Sequence, residues 1–214
     1  MVERTKGEQG LAADVLRRYG FSVPTEGAIQ LIAEHAQRGV VEIGAGTGYW
    51  AHRLSRAGVD VVAFDRFPPP SSSNQWFAGV PPWHAVHAGD EAVVERFPER
   101  LLLIVWPTRD EIWATEALER FHRAGGDLVA YVGDGPGGRT GDASFHAVLG
   151  ESTTCLQCAF GATDEACICG VASLFARVIE IPLPPWQSDR DTLSIFQRRS
   201  GRVARRRTSS RRRR

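Results

Sequence analysis

The chain has 214 residues, 43% of them hydrophobic and 24% charged, enough for one α/β domain of ordinary size with its own core. No run approaches the roughly 18 apolar residues of a membrane span, and the opening Met-Val-Glu-Arg-Thr-Lys-Gly-Glu has no apolar core of a signal peptide, so the expected setting is cytoplasmic. The net charge of +1 hides an asymmetry: ten of the 26 basic residues lie in 198–214 without an acid, leaving 16 against 25 acidic residues, a body charge of −9 that argues against a broad nucleic-acid-binding face.

Leu11, Val15 and Leu16 form a modest apolar stripe, which predicts a first helix ending at Gly20. Phe21-Ser22-Val23-Pro24 turns the chain, and Thr25 is placed to cap a second helix over Glu26–Gln37 with Ile29, Ile32 and Ala33 on its inner face. Val40–Ile43 reads as a buried strand. A turn follows at once, Gly44-Ala45-Gly46-Thr47-Gly48, and then a helix over Trp50–Ala57 that stops at Gly58. Strand, glycine turn and helix open a nucleotide-binding α/β unit. Glycines let the backbone approach a ligand, and the helix start offers free N–H groups.

The dinucleotide fingerprint wants Gly-x-Gly-x-x-Gly. Here the third glycine comes one residue early, and an acid, Glu42, stands two residues before the first. A carboxylate there repels a pyrophosphate and favours a cation. Glu-x-Gly-x-Gly-x-Gly after a first strand resembles motif I of the class I S-adenosylmethionine-dependent methyltransferases, whose ligand carries a sulfonium and an ammonium and no phosphate. The resemblance implies an α/β, Rossmann-like, seven-stranded and mostly parallel sheet with an antiparallel last strand and helices on both faces. It covers roughly residues 20–197.

Val59–Asp65 reads as the second strand, ending in an acid. In dinucleotide and adenosyl sites alike, an acid at this strand end accepts hydrogen bonds from ribose hydroxyls; a cap or surface acid is the plainer alternative. Residues 67–83 hold five prolines and three serines, which forbids a regular element. Trp76 or Trp83 in this loop packs on the ligand or pins the loop to the core. In families of this kind the segment before motif I often lies over the cofactor, a role open to Tyr19, Phe21 and Pro24; plugging the end of the core is the other reading. Trp83–Asp90 reads as a short third strand and turn, and the resemblance implies that Asp90 meets the adenine amino group. Glu91–Phe97 is expected to be a short helix.

Leu101–Val105 is fully apolar, hence a central parallel strand. The loop after it, Trp106-Pro107-Thr108-Arg109, faces the transferable methyl in the family. It echoes only distantly the Asp/Asn-Pro-Pro-aromatic motif of nucleic-acid amino methyltransferases and lacks the amide or acid that grips an exocyclic amine. A helix is expected over Arg109–Arg123 with Ile112, Trp113, Ala117, Leu118 and Phe121 inward, then a strand over Asp127–Val132. Residues 133–142 carry five glycines but no P-loop Lys-Ser/Thr. A helix over Ala143–Leu149 places Phe145 and His146 near that loop. Arg177–Leu183 and Asp191–Gln197 read as closing strands, an antiparallel pair, as in methyltransferases.

All four cysteines lie within fifteen residues, as Cys155-x2-Cys158, eight residues, then Cys167-x-Cys169. This spacing suits a tetrahedral structural zinc in an intracellular protein; an iron–sulfur cluster, free thiols or disulfides are the alternatives.

The expected organisation is a helical cap at 1–38, a methyltransferase domain at 39–197 with a Cys-rich insertion at 151–173, and a disordered Arg-rich tail at 198–214. The cofactor set implied is Glu42, Gly44, Ala45, Gly46, Gly48, Asp65, Arg66, Gly89, Asp90 and Trp106. His146, Tyr131, Asp134 and His84 are candidate general bases. The expected activity is methyl transfer from S-adenosylmethionine to a small-molecule acceptor. A nucleic-acid methyltransferase guided by the basic tail, and an inactive binding protein of the same fold, are the competing readings.

Overall fold

The computed structural model describes residues 6–151, 173–186 and 190–199. The cysteine segment and the arginines beyond Arg199 lie outside the described residues.

Two helices come first, α1 (Lys6–Tyr19) and α2 (Glu26–His35). Thr25 caps α2: its hydroxyl oxygen accepts from the Ala28 N–H at 3.1 Å. Thr25→Ala is expected to cost about 1 kcal/mol of unfolding free energy, read by urea titration. The alternation then begins with β1 (Val40–Ile43), α3 (Tyr49–Arg56), β2 (Val61–Asp65) and β3 (Val86–Ala88), followed by a 3₁₀ turn at Glu91–Arg96. It continues with β4 (Leu101–Val105), α4 (Trp113–Ala124), β5 (Leu128–Gly133) and α5 (Ala143–Val148), and closes with β6 (Phe175–Pro182) and β7 (Thr192–Arg198).

These strands form one seven-stranded sheet in the order β3-β2-β1-β4-β5-β7-β6. β1 to β5 pair parallel, and β7 runs antiparallel to both β5 and β6. The period of two along the strands sorts their side chains into two cores. Val41, Ile43, Leu102, Ile104, Val129 and Tyr131 face Phe121 of α4 and Phe145 of α5. Val40, Leu101, Leu103, Ala130 and Val132 face Ile29 and Ile32 of α2 and Trp50 and Leu54 of α3. Helices therefore cover both faces, as a parallel sheet requires.

Three elements differ from the sequence expectation. The third strand is only three residues long. Glu91–Arg96 is a 3₁₀ turn rather than an α-helix, with Asp90 accepting from the Ala92 N–H. The fourth helix starts at Trp113, not Arg109, because Asp110 sits in the left-handed region at φ 59°, which no helical turn accommodates. Ile112 is thereby left exposed outside the core.

Candidate functional site

The strand order reverses between β1 and β4, and a crevice outside the carboxyl ends of the strands is expected there. A cavity of about 790 Å³ lies at that place. The end of β1 and its glycine turn, the end of β2 and the residues after β3 and β4 all reach it.

The glycine turn is forced by its surroundings. Gly44 has φ 68°, and a Cβ there would stand 2.7 Å from the Trp113 ring. Gly46 has φ 53°, and a Cβ there would stand 2.6 Å from Phe77. Both the left-handed backbone and the close ring exclude other residues. Gly48 does a different job: it starts α3 with φ 70° and abuts Val86 and His84, outside the cavity lining. Of the ten residues expected to hold a cofactor, the structure brings nine to the cavity, Glu42, Gly44, Ala45, Gly46, Asp65, Arg66, Gly89, Asp90 and Trp106, and leaves Gly48 behind it.

Glu42 is 1% exposed, and its Oε2 has no hydrogen-bond partner. Burial pushes its carboxyl up from 4.5 to about 8; the Ala51 backbone opposes the shift and the nearby Asp65 charge adds to it. Asp65 ties the turn to the next strand. Its Oδ2 accepts from the Gly46 N–H at 2.9 Å and its Oδ1 from the Phe67 N–H at 2.9 Å. Each oxygen keeps a lone pair for a further donor. Arg66 is paired with Glu91 at 3.2 Å.

The stretch from Arg18 to Ser22 passes over the cavity, and three indoles from distant parts of the chain hold it. Trp83 donates to the Arg18 carbonyl at 2.7 Å, Trp186 to Gly20 at 3.0 Å and Trp50 to Ser22 at 2.9 Å. Alternate carbonyls are thus fixed, and the intervening Tyr19 and Phe21 line the cavity. Pro24 is buried away from it. In the 67–83 loop, Trp76 lines the cavity, whereas Trp83 packs outside it against Tyr19 at 5.4 Å.

Trp106 takes φ 48°, a rare backbone state for a bulky residue. Its indole N–H donates to both carboxylate oxygens of Asp191, at 3.1 and 3.0 Å. Asp191 is buried beside Asp134; burial and that neighbour push its carboxyl from 3.8 up to about 6, against the pull of the Trp106 hydrogen bond. Sequence reading did not find Asp191 in this role, nor Phe77 and Trp113 against the glycines. The partners lie far apart in the chain, and no local spacing signals them.

The structure does not bring His146, Tyr131, Asp134 or His84 to the cavity. His146 is buried with both ring nitrogens engaged, one on Glu151 Oε2 at 2.8 Å and one on the Thr140 carbonyl at 3.0 Å. The Tyr131 hydroxyl donates to the Asp134 carbonyl at 2.5 Å and meets Thr140 Oγ1, and burial holds its pKa far above the usual phenol range. Asp134 is fully buried; its Oδ2 accepts from the Arg139 N–H and faces Arg190 at 3.8 Å. These three hold the 133–142 loop together, outside the cavity lining. His84 packs against the outer side of the glycine turn, and burial lowers its pKa, helped by His52 and His87.

The strand order 3-2-1-4-5-7-6, with the seventh strand antiparallel, is that of the Rossmann-like fold of class I methyltransferases, and the chain has that fold. No family model matches the sequence. No curated protein matches it. Among solved structures, the chain is similar to a 1,6-didemethyltoxoflavin-N1-methyltransferase from Burkholderia thailandensis with bound 1,6-didemethyltoxoflavin and S-adenosylhomocysteine, at 17% identity over 94% of this chain and 93% of that one, with a TM-score of 0.47. It is also similar to a magnesium protoporphyrin IX methyltransferase from Synechocystis PCC 6803 with bound S-adenosylmethionine, at 9% identity over 92% of this chain and all of that one, with a TM-score of 0.46. Both likenesses are distant; the chain's own strand order defines its fold. Among the described residues, no group of three or more His, Cys, Asp or Glu is placed to hold a metal ion. No described helix is long and apolar enough to cross a membrane.

Proposed function

We propose that the chain transfers a methyl group from S-adenosylmethionine to a small-molecule acceptor. The observation that carries this reading is the orphaned, buried carboxylate oxygen of Glu42 beside the glycine turn, in a cavity whose next strand ends in Asp65. A buried carboxyl without a partner calls for a cation or a donor. Once ionised, Glu42 would set like charges against a phosphate-bearing ligand, whereas a cation draws it into that form.

Within this reading Glu42 faces the ammonium and sulfonium end, Gly44 to Gly46 let the backbone come close, Asp65 accepts from the ribose and Asp90 lies at the adenine. When bound, S-adenosylmethionine supplies a methyl carbon already activated by a positive sulfur: the acceptor lone pair takes it in line while the S–C bond electrons return to sulfur. The chain's own part is to orient the partners and exclude water. The strap from Arg18 to Ser22 serves the second task, clamped by its three indoles. A proton lost by a neutral acceptor passes to water.

The test is calorimetric titration of the full chain with S-adenosylmethionine and S-adenosylhomocysteine, alongside NAD and AMP. Uptake of the two sulfur nucleosides is expected. Uptake of a phosphate-bearing nucleotide in their place, with neither sulfur nucleoside bound, would sink the reading.

A further inference from the structure

The cavity carries charge on both sides: Glu42, Asp65, Asp90 and Glu91 at the ends of β1 to β3, and Arg109, Glu111 and Arg139 elsewhere in its lining. Three rings, Phe21, Trp76 and Trp106, stand among these groups. Phe21 lies nearly parallel to the Trp106 indole, with centroids 5.7 Å apart and planes 16° apart. Trp76 meets Phe21 edge-on at 5.3 Å and 89°. The three rings therefore make a corner: Phe21 stacks offset on Trp106, so each covers part of the other's face, and Trp76 stands edge-on to Phe21.

The polar handle of Trp106 is already used, because both Asp191 oxygens hold its N–H. What Trp106 offers the cavity is π surface, not a donor. The Arg139 guanidinium stands over the same indole at 5.3 Å.

Trp76 is 49% exposed, yet it is not loosely carried. Buried Asn74 accepts from the Trp76 and Phe77 N–H groups and donates to the Phe67 carbonyl, so the loop is built to present this ring. Phe67, 47% exposed, lines the same cavity, so its rim carries two solvent-facing rings rather than one.

Resting on the methyltransferase reading, we propose that the acceptor is a planar aromatic molecule, recognised in this corner by Phe21, Trp76 and Trp106. A flat π system gains face or edge contacts with the ring surface these neighbours leave open. A saturated molecule of equal apolar area gains only burial. Aromatic pairs are worth enough beyond area that two such contacts favour the planar ligand by about tenfold or more.

The probes are 2-naphthol and decahydro-2-naphthol, titrated by calorimetry into the full chain saturated with S-adenosylhomocysteine. They share a carbon skeleton and a hydroxyl and differ in planarity and π character. The expected result is 2-naphthol binding at least about tenfold tighter, without displacing S-adenosylhomocysteine. Phe21→Leu and Trp76→Leu should each pull that ratio towards one. Trp76→Leu changes a half-exposed side chain outside the core, so it remains informative if Phe21→Leu unfolds. Equal binding of the two alcohols overturns the proposal, as does no binding of either, or a preference that survives both substitutions. A chain that refuses S-adenosylhomocysteine overturns the function itself and this proposal with it. One that accepts it without preferring the planar probe overturns the acceptor class alone.

Discussion

Glu42→Gln is expected to stabilise the free protein at alkaline pH and to cripple its cofactor affinity. The folded carboxyl titrates near 8, against 4.5 in an unfolded chain. A raised pKa in the folded state means stability that is complete below 4.5 and lost as pH climbs to 8. The difference is worth about 5 kcal/mol at most above pH 8, at about 1.4 kcal/mol per pH unit. Gln carries no charge to desolvate. The variant should therefore match the parent near pH 4.5 and exceed it progressively towards pH 9, as seen in urea midpoints across that range. Ligand binding should move the other way. A cation beside Glu42 favours the ionised form, so binding below pH 8 must release a proton. Affinity for S-adenosylmethionine should then rise by up to about tenfold per pH unit between pH 6 and 8. Calorimetry in buffers of different ionisation enthalpy should report close to one proton released at pH 7, and none in the Gln variant. A pH-independent affinity in the parent would show that Glu42 does not face the ligand.

The parts of this fold that were legible in the sequence are those set by local pattern. Leu101–Val105 is apolar without interruption, so it had to be a strand buried on both faces, and it is. Glu42 through Gly48 packs strand end, acid and glycines into seven residues, and the chain turns there as glycine spacing demands. The acid ending β2 sits beside that turn, because β1 and β2 pair with Ile43 opposite Phe64. What local pattern cannot carry is long-range choice of partner. Nothing near Trp106 announces that an acid 85 residues away grips its indole. Nothing near Gly20 announces three tryptophans on alternate carbonyls. His146 follows a glycine-rich loop and invites a catalytic reading; its burial depends on Glu151 and Thr140 closing over it from both sides. The start of α4 fails for a smaller reason: helical spacing tolerates Arg109 to Ile112, and only the left-handed turn at Asp110 ends the pattern.

Asp65→Ala should cost both the cofactor and the shape of the turn. One carboxylate accepts from two backbone N–H groups, Gly46 on the glycine turn and Phe67 at the root of the 67–83 loop. Hydrogen bonds to a charged acceptor contribute about 1.5–3 kcal/mol each. Gly46 is buried, so removing the carboxylate strands its N–H, whereas the Phe67 N–H is exposed and regains water. The expected loss of stability is therefore about 2–3 kcal/mol, dominated by Gly46. Cofactor affinity should fall by about 100-fold, a loss of the same size as that in stability, because the ribose loses its acceptor while the turn that meets the rest of the ligand loses its brace. Asp65→Asn separates the two effects. An amide keeps one oxygen for Gly46 but presents donors where the ribose hydroxyls also donate. It should recover most of the stability in urea titration and little of the affinity in calorimetry. Equal recovery of both would mean that Asp65 serves only the turn, and unchanged affinity in the Ala variant would remove it from the site.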